Sequence, residues 1–357
     1  MKSYGTYGDE DCRTLLDKRN RTAVEEEHSH GERSDYRIAD RRNAGTSGDS
    51  AGRTHSRDAG WSRIVRDVPR CDRESAGPAE RPRDGLEPRP RVGLAYRGPL
   101  HYEIAAHRRE IDVLEVLADH YAFGPDDQLA PVDELAQTFP IVLHGLGLSI
   151  GTAGPLDLAY VDCIRRLARR LDARAYSEHL SFTRAGGMET GALLPIPRTR
   201  AALTVVSENV VRVQDRLGKQ LLLENVAAYF DYADAEMSEP EFVSALVART
   251  GCGLLLDVHN VYVNATNFGF DPYAYLRELP AGAVRQMHIA GGEDVGGIYV
   301  DSHATPVCDT VWTLCAVALE RQSPDCIVLE WDQNLPTFDV ILGELAIARR
   351  LRDRSAA

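Results

Sequence analysis

The chain has 357 residues, of which 43% are hydrophobic and 27% charged, proportions typical of a soluble folded protein. Its formal net charge of −13 opposes the approach of a polyanion, so we expect no nucleic-acid partner. No apolar run approaches the roughly 20 residues that span a bilayer, and no secretion signal follows Met1. We therefore expect a cytoplasmic protein that does not enter a membrane.

The first quarter of the chain differs from the rest. Residues 1–90 are polar, rich in Gly, Ser and Arg, and lack sustained helical or strand periodicity. Such a segment buries too little apolar surface to offset its conformational entropy, so we predict a disordered or flexible N-terminal extension. The alternative is that it is upstream sequence included by the choice of start codon. His28 and His30 lie in an acidic run that is more typical of a solvated segment than of a metal site. We predict a single folded domain over residues 91–357.

From Arg91 onward, predicted strands alternate with helices. Apolar runs of strand length, typical of strands buried on both faces, occur eight times: at 92–97, 113–118, 141–149, 173–180, 221–226, 253–260, 285–291 and 326–331. Helical patterns are found at 102–110, 155–171, 199–217, 238–251, 272–279, 307–319 and 337–352. A long glycine-rich loop is predicted between residues 291 and 301.

This alternation predicts a (β/α)8 TIM barrel with right-handed crossovers. A doubly wound open sheet is the alternative. Its nucleotide-binding form carries a G-x-G-x-x-G motif after a strand, and the nearest match, Gly145-Leu146-Gly147, has Ile150 in the place of the third glycine.

Polar side chains occur where the predicted strands end. Five histidines lie there, together with five acids: His144, His179, His259, His288 and His303, and Glu178, Glu224, Asp257, Asp301 and Glu330. One such histidine would more often be a hydrogen-bonded core residue. Together, however, these groups would repel or desolvate one another at one rim of a barrel unless cations compensate. The set therefore predicts a metal site at the C-terminal rim.

The types and number of ligands narrow the metal. A mixed imidazole and carboxylate site suits iron, manganese or zinc better than magnesium or calcium. About nine candidate ligands are too many for one ion, so two or three ions are expected, with Glu224 able to bridge. If the sixth strand continues to Asn260, Asp257 and His259 share a face. Asp301 and His303 repeat this spacing, although Asp301 could instead cap the helix at 307–319.

Seven segments taken together resemble the multinuclear non-haem iron-dependent oxidases, a family earlier described as domain of unknown function 692. The segments are Leu143-His144-Gly145-Leu146-Gly147-Leu148-Ser149, Ser177-Glu178-His179-Leu180, Leu223-Glu224-Asn225, Leu256-Asp257-Val258-His259-Asn260-Val261-Tyr262, His288-Ile289-Ala290-Gly291-Gly292, Asp301-Ser302-His303 and Glu330-Trp331-Asp332. The resemblance runs from about Arg91 to Arg352.

The resemblance implies a TIM barrel with two or three iron ions in mixed Fe(II) and Fe(III) states and O2 as co-substrate. It also implies that a ribosomally synthesised precursor peptide is the substrate, commonly modified at cysteine. The implied ligands are His144, His179, Glu224, Asp257, His288, Asp301, His303 and Glu330, with either His259 or Asn260 in addition. Among them we expect His144, Glu224 and His288 to be catalytic. A separate leader-peptide-recognition protein is a further expectation, since residues 91–357 show no such module.

Other functions use similar ligands. A divalent-metal sugar isomerase or a trinuclear zinc phosphodiesterase acting on DNA would also place His, Asp and Glu at strand ends. The acidic charge opposes DNA, and no lysine lies at a predicted strand end to polarise a sugar carbonyl. A metal-dependent scaffold without catalytic activity is the remaining alternative.

Overall fold

Eight parallel strands form a closed barrel in the computed structural model, which describes residues 89–355. The described residues contain twelve strands, of which four lie outside the barrel. In chain order they are β1 (Arg91–Ala95), β2 (Leu114–Leu117), β3 (Ile141–Gly145), β4 (Tyr176–His179), β5 (Ser181–Ala185), β6 (Met188–Pro195), β7 (Leu221–Glu224), β8 (Gly253–Asp257), β9 (Val284–Ile289), β10 (Glu293–Val295), β11 (Ile298–Val300) and β12 (Cys326–Leu329). Around the barrel the order is β1, β2, β3, β4, β7, β8, β9 and β12, and β12 pairs with β1. The predicted TIM barrel is confirmed, and the open-sheet alternative is wrong.

Helices surround this barrel. They are α1 (His101–Ala106), α2 (Ala130–Ala136), α3 (Leu158–Arg170), α4 (Arg200–Leu217), α5 (Glu239–Thr250), α6 (Val258–Phe268), α7 (Pro272–Glu278), α8 (Asp309–Arg321) and α9 (Phe338–Ser355). The predicted capping box at the start of α5 is present, because Ser238 and Glu241 bond each other's backbone N–H. None of the helices within residues 89–355 is both long and apolar enough to cross a bilayer. The predictions for residues 1–88, including His28 and His30, lie outside the described residues.

The barrel interior changes from apolar to polar along its axis. A small apolar cluster that includes Val113, Val142 and Val328 fills the interior. Because side chains alternate along a strand, the next inward residues are two positions further along, at Glu115, His144 and Glu330. The apolar layer therefore supports a polar layer at the C-terminal end, where enzymes of this fold have their sites.

The sixth predicted strand ends earlier than expected. β8 ends at Asp257, whose Oδ1 accepts a hydrogen bond of 2.7 Å from Asn260 N, and α6 begins at Val258. Asp257 is thus an N-cap, and the carboxylate turns the chain into a helix where the apolar pattern favoured continued strand. The expectation that Asp257 and His259 share a strand face is therefore wrong, since His259 and Asn260 lie on α6.

Two β-hairpins, which the sequence analysis did not predict, follow barrel strands at the C-terminal end. β5 and β6 are joined by Gly186-Gly187, and β10 and β11 by Gly296-Gly297. All four glycines have positive φ angles, as two-residue hairpin turns require. The predicted glycine-rich loop before residue 301 therefore contains a hairpin, and a Gly-Gly pair was the available signal.

Glu344 on α9 is a buried acid away from the barrel interior. Its side chain is 6% exposed, Oε1 accepts a hydrogen bond of 2.7 Å from Val307 N, and Oε2 has no partner among the described residues. Burial raises its pKa from 4.5 to about 7, although the bond from Val307 opposes the shift. The fold therefore favours the neutral acid. The contribution of protonated Glu344 to the free energy of unfolding is full below pH 4.5 and is lost as the pH rises through about 7.

We expect Glu344→Gln to remove this pH dependence, because glutamine keeps the acceptor for Val307 and does not ionise. Relative to the wild type, the variant should gain about 1–3 kcal/mol in free energy of unfolding between pH 5 and pH 8. Urea unfolding at the two pH values measures the difference. Glu208→Gln, on the exposed side of α4, is the control and should show no such change. Parallel pH profiles of wild type and Glu344→Gln would contradict the assignment.

Candidate metal centre

Two overlapping groups of buried ligand-type side chains lie at the C-terminal end of the barrel. His144, His179 and Glu224 form the first group. The second consists of Glu224, Asp257, His288 and Glu330. Within each group the ligand atoms lie within 4.8 Å of one another. We call these the first and second groups; Glu224 belongs to both.

The first group is compact. His144 Nε2 and His179 Nε2 each lie 3.2 Å from Glu224 Oε2, and 3.4 Å from each other. Ligand bonds of about 2.0–2.2 Å, at angles of about 90–110°, separate neighbouring donor atoms by roughly 3.0–3.4 Å. The triangle of donors therefore has the size that a transition-metal ion requires.

The second group uses the other oxygen of Glu224. His288 Nδ1 lies 3.0 Å from Glu224 Oε1 and 3.0 Å from Glu330 Oε2. Asp257 joins through Oδ2, which has no partner among the described residues, because its Oδ1 caps α6. Glu224 thus presents one oxygen to each group, as a bridging carboxylate does.

Outer hydrogen bonds orient the imidazoles of both groups. His144 Nδ1 lies 2.8 Å from Ser177 Oγ, and His179 Nδ1 lies 2.9 Å from Gly145 O. A proton on each Nδ1 leaves the lone pair of Nε2 directed at Glu224. His288 is reversed, since its Nε2 lies 2.8 Å from Glu115 Oε2 and its Nδ1 faces the second group. Such outer partners fix the tautomer of metal-binding histidines.

A third group lies beside the second. Its members are His259 on α6, and Asp301 and His303 in the loop after β11. Asp301 Oδ1 lies 2.7 Å from His303 Nε2 and 3.5 Å from His259 Nε2. Asp301 does not cap α8, whose N-cap is Cys308. Asn260 donates through its side chain to Asn225 O at 3.0 Å, and its Oδ1 has no partner among the described residues.

Gly292 allows the backbone to pass close to the His259 ring and to Val300. A Cβ on Gly292 would lie 2.7 Å from His259 Nε2 and 2.3 Å from Val300 O. Any larger residue would therefore displace His259 or the hairpin. His303 has a φ of 49°, a left-handed backbone that costs energy for a residue with a side chain. Strain of this kind concentrates at functional sites.

Unpartnered buried polar atoms concentrate in these groups. Within residues 89–355, Asp257 Oδ2, Asn260 Oδ1 and His259 Nδ1 have no hydrogen-bond partner. Glu224 Oε2, Asp301 Oδ1, His303 Nε2 and His259 Nε2 make short contacts with one another or with the other imidazoles, but none of these contacts has hydrogen-bond geometry. An orphaned polar atom in an interior costs about 1–3 kcal/mol, and native proteins contain few. The donor set fits bound cations, which would satisfy these atoms together.

The pKa values in the site show strong mutual electrostatic effects. Burial opposes protonation of His144, but the nearby Glu224 and Glu115 raise its pKa to about 9. Burial raises the pKa of Asp257 well above its usual range, and the charge of Glu224 adds to this. Burial lowers the pKa of His259 to about 4. Glu224 and Glu330, whose pKa values are lowered by the nearby imidazoles, therefore carry negative charge, while the neutral forms of Asp257 and His259 are favoured.

One acid expected at the rim lies elsewhere. Glu178 faces the helices, where its Oε2 accepts a hydrogen bond of 2.8 Å from the Tyr176 hydroxyl. Burial, and the charge of Asp119, raise its pKa to about 8. Strand alternation explains the difference, because His179 faces the interior and its neighbour Glu178 must face outwards.

Sequence analysis missed several residues that support the site. Glu115 bonds His288, and Gln286 donates to the same carboxylate oxygen. Asp332 Oδ2 lies 3.1 Å from His303 Nδ1, while its Oδ1 accepts hydrogen bonds from Arg97. Glu115 was recognisable as an acid inside an apolar strand. Arg97 and Asp332 are 235 residues apart, so sequence spacing gives no signal of their contact.

A closed barrel with clustered imidazoles and carboxylates at its C-terminal mouth is typical of a metal-dependent TIM-barrel enzyme. A sequence model of the family described as "RiPP precursor modification enzyme MbnB/TglH/ChrH" matches residues 91–353, and the chain belongs to this family. RiPPs are ribosomally synthesised and post-translationally modified peptides, so the family is one of enzymes that modify precursor peptides. The resemblance predicted from the seven sequence segments is confirmed.

Curated relatives extend over nearly the same region. A UPF0276 protein of Caulobacter vibrioides is 38% identical over 266 residues, which cover 74% of this chain and 95% of the relative. Another UPF0276 protein, from Rhizorhabdus wittichii, is 40% identical over 242 residues, covering 67% of this chain and 86% of the relative.

Solved structures with similar architecture are more distant in sequence. A xylose isomerase domain protein from Planctomyces limnophilus has a TM-score of 0.52 at 15% identity, covering 75% of this chain and 99% of its own. Endonuclease IV from Thermus thermophilus has a TM-score of 0.50 at 18% identity, covering 74% of this chain and 100% of its own. These similarities concern the fold alone.

We expect Asp332→Asn to weaken metal binding by the third group, because the amide holds the His303 ring less firmly than the carboxylate does. Loss of such an outer partner typically costs roughly 10–100-fold in metal affinity. Metal content after dialysis against graded chelator concentrations measures the effect. Asp325→Asn is the control, since Asp325 pairs with Arg285 at 2.6 Å at the other end of the barrel. Equal metal retention by the two variants would show that Asp332 does not position His303.

Proposed function

We propose that this protein is an O2-dependent, multinuclear non-haem iron oxidase that modifies a residue of a ribosomally synthesised precursor peptide. Cysteine is the favoured target residue. The cofactor of the protein would be two or three iron ions in mixed Fe(II) and Fe(III) states. The observation that carries the proposal is the position of Glu224, whose two carboxylate oxygens face two separate groups of imidazoles and carboxylates.

The proposed ligands follow the three groups. His144, His179 and Glu224 would hold one ion, and Glu224, Asp257, His288 and Glu330 a second. His259, Asp301 and His303 would hold a third; His259 is favoured over Asn260 because its Nε2 lies 3.5 Å from Asp301 Oδ1. Imidazole and carboxylate donors without a thiolate suit iron and leave manganese and zinc as alternatives.

Bound iron would supply the redox chemistry and the binding site for O2. The chain would supply geometry. Ser177, Gly145 O and Glu115 each hold one nitrogen of an imidazole, so that the other nitrogen is directed at the cluster. His144, whose pKa is raised to about 9, would release its second proton when metal binds. Arg97 neutralises Asp332 and lies 3.9 Å from Glu330, which limits the negative charge at the mouth. A substrate thiolate could therefore approach with less repulsion.

Other metal-dependent barrels are less well supported. Lys219, the single lysine within residues 89–355, donates to Ala173 O at the N-terminal end of the barrel, away from the candidate site. It is therefore not placed to polarise a sugar carbonyl. The acidic chain opposes a DNA substrate. A scaffold without catalysis is disfavoured because the family is described as one of modification enzymes.

A separate leader-recognition protein also forms part of the proposal. Within residues 89–355, the elements beyond the barrel and its helices are the two short hairpins and the connecting turns and loops. Recognition of a leader by strand addition usually needs a stable sheet with an open edge. The closed barrel has no edge, and the hairpins are isolated two-stranded ribbons.

The proposal is tested on the full-length protein purified without oxygen. Metal analysis and Mössbauer spectroscopy should show two or three irons per chain. Addition of O2 and the precursor peptide encoded nearest to this gene should consume O2 and change the peptide's mass. Full occupancy by zinc without iron, or an unchanged peptide in the presence of its partner protein, would overturn the proposal.

We expect Glu224→Ala to remove more than one iron per chain, because one carboxylate would serve two ions. Inductively coupled plasma mass spectrometry of the anaerobically purified variant measures this. Glu208→Ala, the same change on the exposed side of α4, should keep the wild-type metal content. Loss of a single ion or of none would show that Glu224 does not bridge, even if activity falls.

A further inference from the structure

An apolar cavity of about 290 Å³ lies outside the barrel, next to the candidate metal centre. Leu180, Val226 and Phe242, all buried, form part of its lining. Leu180 directly follows His179, and its N–H donates to Glu224 O at 2.9 Å. The lining of the cavity and the ligands of the first group are therefore close neighbours along the same two strands.

The opening of the cavity is aromatic and exposed. Phe230, Phe268 and Phe270 line it and are 44%, 42% and 36% exposed. Large side chains that gather at a cavity while facing water are typical of a binding surface. The volume is at the low end of the roughly 300–1,000 Å³ found for small-molecule sites, so it suits one or two side chains of a longer ligand.

The charge at the cavity is negative. Its lining includes Asp231, Glu239, Asp271 and Glu278 but a single basic residue, Arg198, which pairs with Asp231 at 2.7 Å. Asp271 pairs with Arg277, outside the lining, at 3.3 Å. Glu239 and Glu278 form no ion pair with a basic residue in the described part of the chain. Burial raises the pKa of Glu239 to about 7, against the influence of Arg198, so a further cation beside it would be favourable.

The wall between the cavity and the site is fixed by Asn264 on α6. Its Nδ2 donates to Val226 O at 2.9 Å, and its Oδ1 accepts from Ala228 N at 2.8 Å. α6 also carries His259. Asn264 follows His259 by five residues, about 7.5 Å along the helix axis, and each extended residue spans about 3.3 Å, so a peptide bound in the cavity would need only a few residues to reach the metal centre.

We propose that this cavity anchors the precursor peptide through a large apolar side chain that has a lysine or arginine beside it. The aromatic opening and buried lining would bind the apolar side chain, and Glu239 and Glu278 the basic one. The inference rests on the proposed function, because it takes a peptide as the substrate. It adds a sequence requirement that the metal centre does not impose.

The test uses the anaerobically purified full-length protein and a phage-displayed library of random linear peptides. Selection should enrich an aromatic or branched apolar residue adjacent to Lys or Arg. A labelled peptide of the enriched sequence then serves as the probe in fluorescence anisotropy. Ala274→Trp, which fills the cavity from α7, should weaken binding at least about tenfold, while Ala201→Trp on the exposed side of α4 should not.

A second pair of variants tests the charge. Glu278→Lys should weaken binding of the basic probe about three- to tenfold, and Glu320→Lys, on the exposed side of α8, should not. Metal content should stay at the wild-type value in all four variants. Enrichment without the apolar and basic pair, or unchanged affinity in Ala274→Trp, would overturn the proposal. A change of oligomeric state in Ala274→Trp would do so too, because it would assign the cavity to a second copy of the chain.

Failure of this proposal and failure of the proposed function are distinguishable. Probe binding requires neither O2 nor turnover, so the cavity can bind peptide in a protein that does not oxidise it. Conversely, if precursor oxidation proceeds equally in wild type and Ala274→Trp, the oxidase function stands and the anchoring role does not.

Discussion

The structure depends on a concentration of ionisable groups where a barrel interior should be apolar. Imidazoles and carboxylates from successive strands are buried together, and removing such groups from water is costly unless opposite charges compensate. His144, His179 and His288 all face Glu224, and together they hold its pKa well below its usual range despite burial. Their shared carboxylate organises the site, and the apolar layer beneath it keeps these side chains at one depth.

Much of the fold was predictable from the sequence, for physical reasons. Strands buried on both faces are nearly continuous apolar runs, and the barrel strands show this pattern clearly. The same feature caused the main error. The run before Asp257 predicted a strand to Asn260, but Asp257 is an effective N-cap and its side chain bonds Asn260 N. Capping depends on a side-chain geometry that hydrophobic periodicity does not record.

The site was only partly predictable. Residues at strand ends could be listed because parallel strands bring their carboxyl ends to one rim. Their division into groups could not, because it depends on which oxygen of Glu224 faces which imidazole. The outer residues were harder still. Arg97 and Asp332 meet only because β1 and β12 close the barrel, a pairing between the first and last strands that local sequence does not indicate.

Asp257 links parts of the molecule that differ in function. One of its oxygens begins α6 and the other faces the second group of ligands, so a shift of this carboxylate would alter the first turn of the helix. The same helix carries His259 at its start and Asn264, which fixes the cavity wall, one turn later. A single helix, begun by a carboxylate of the barrel mouth, therefore also holds the wall of the neighbouring cavity in place.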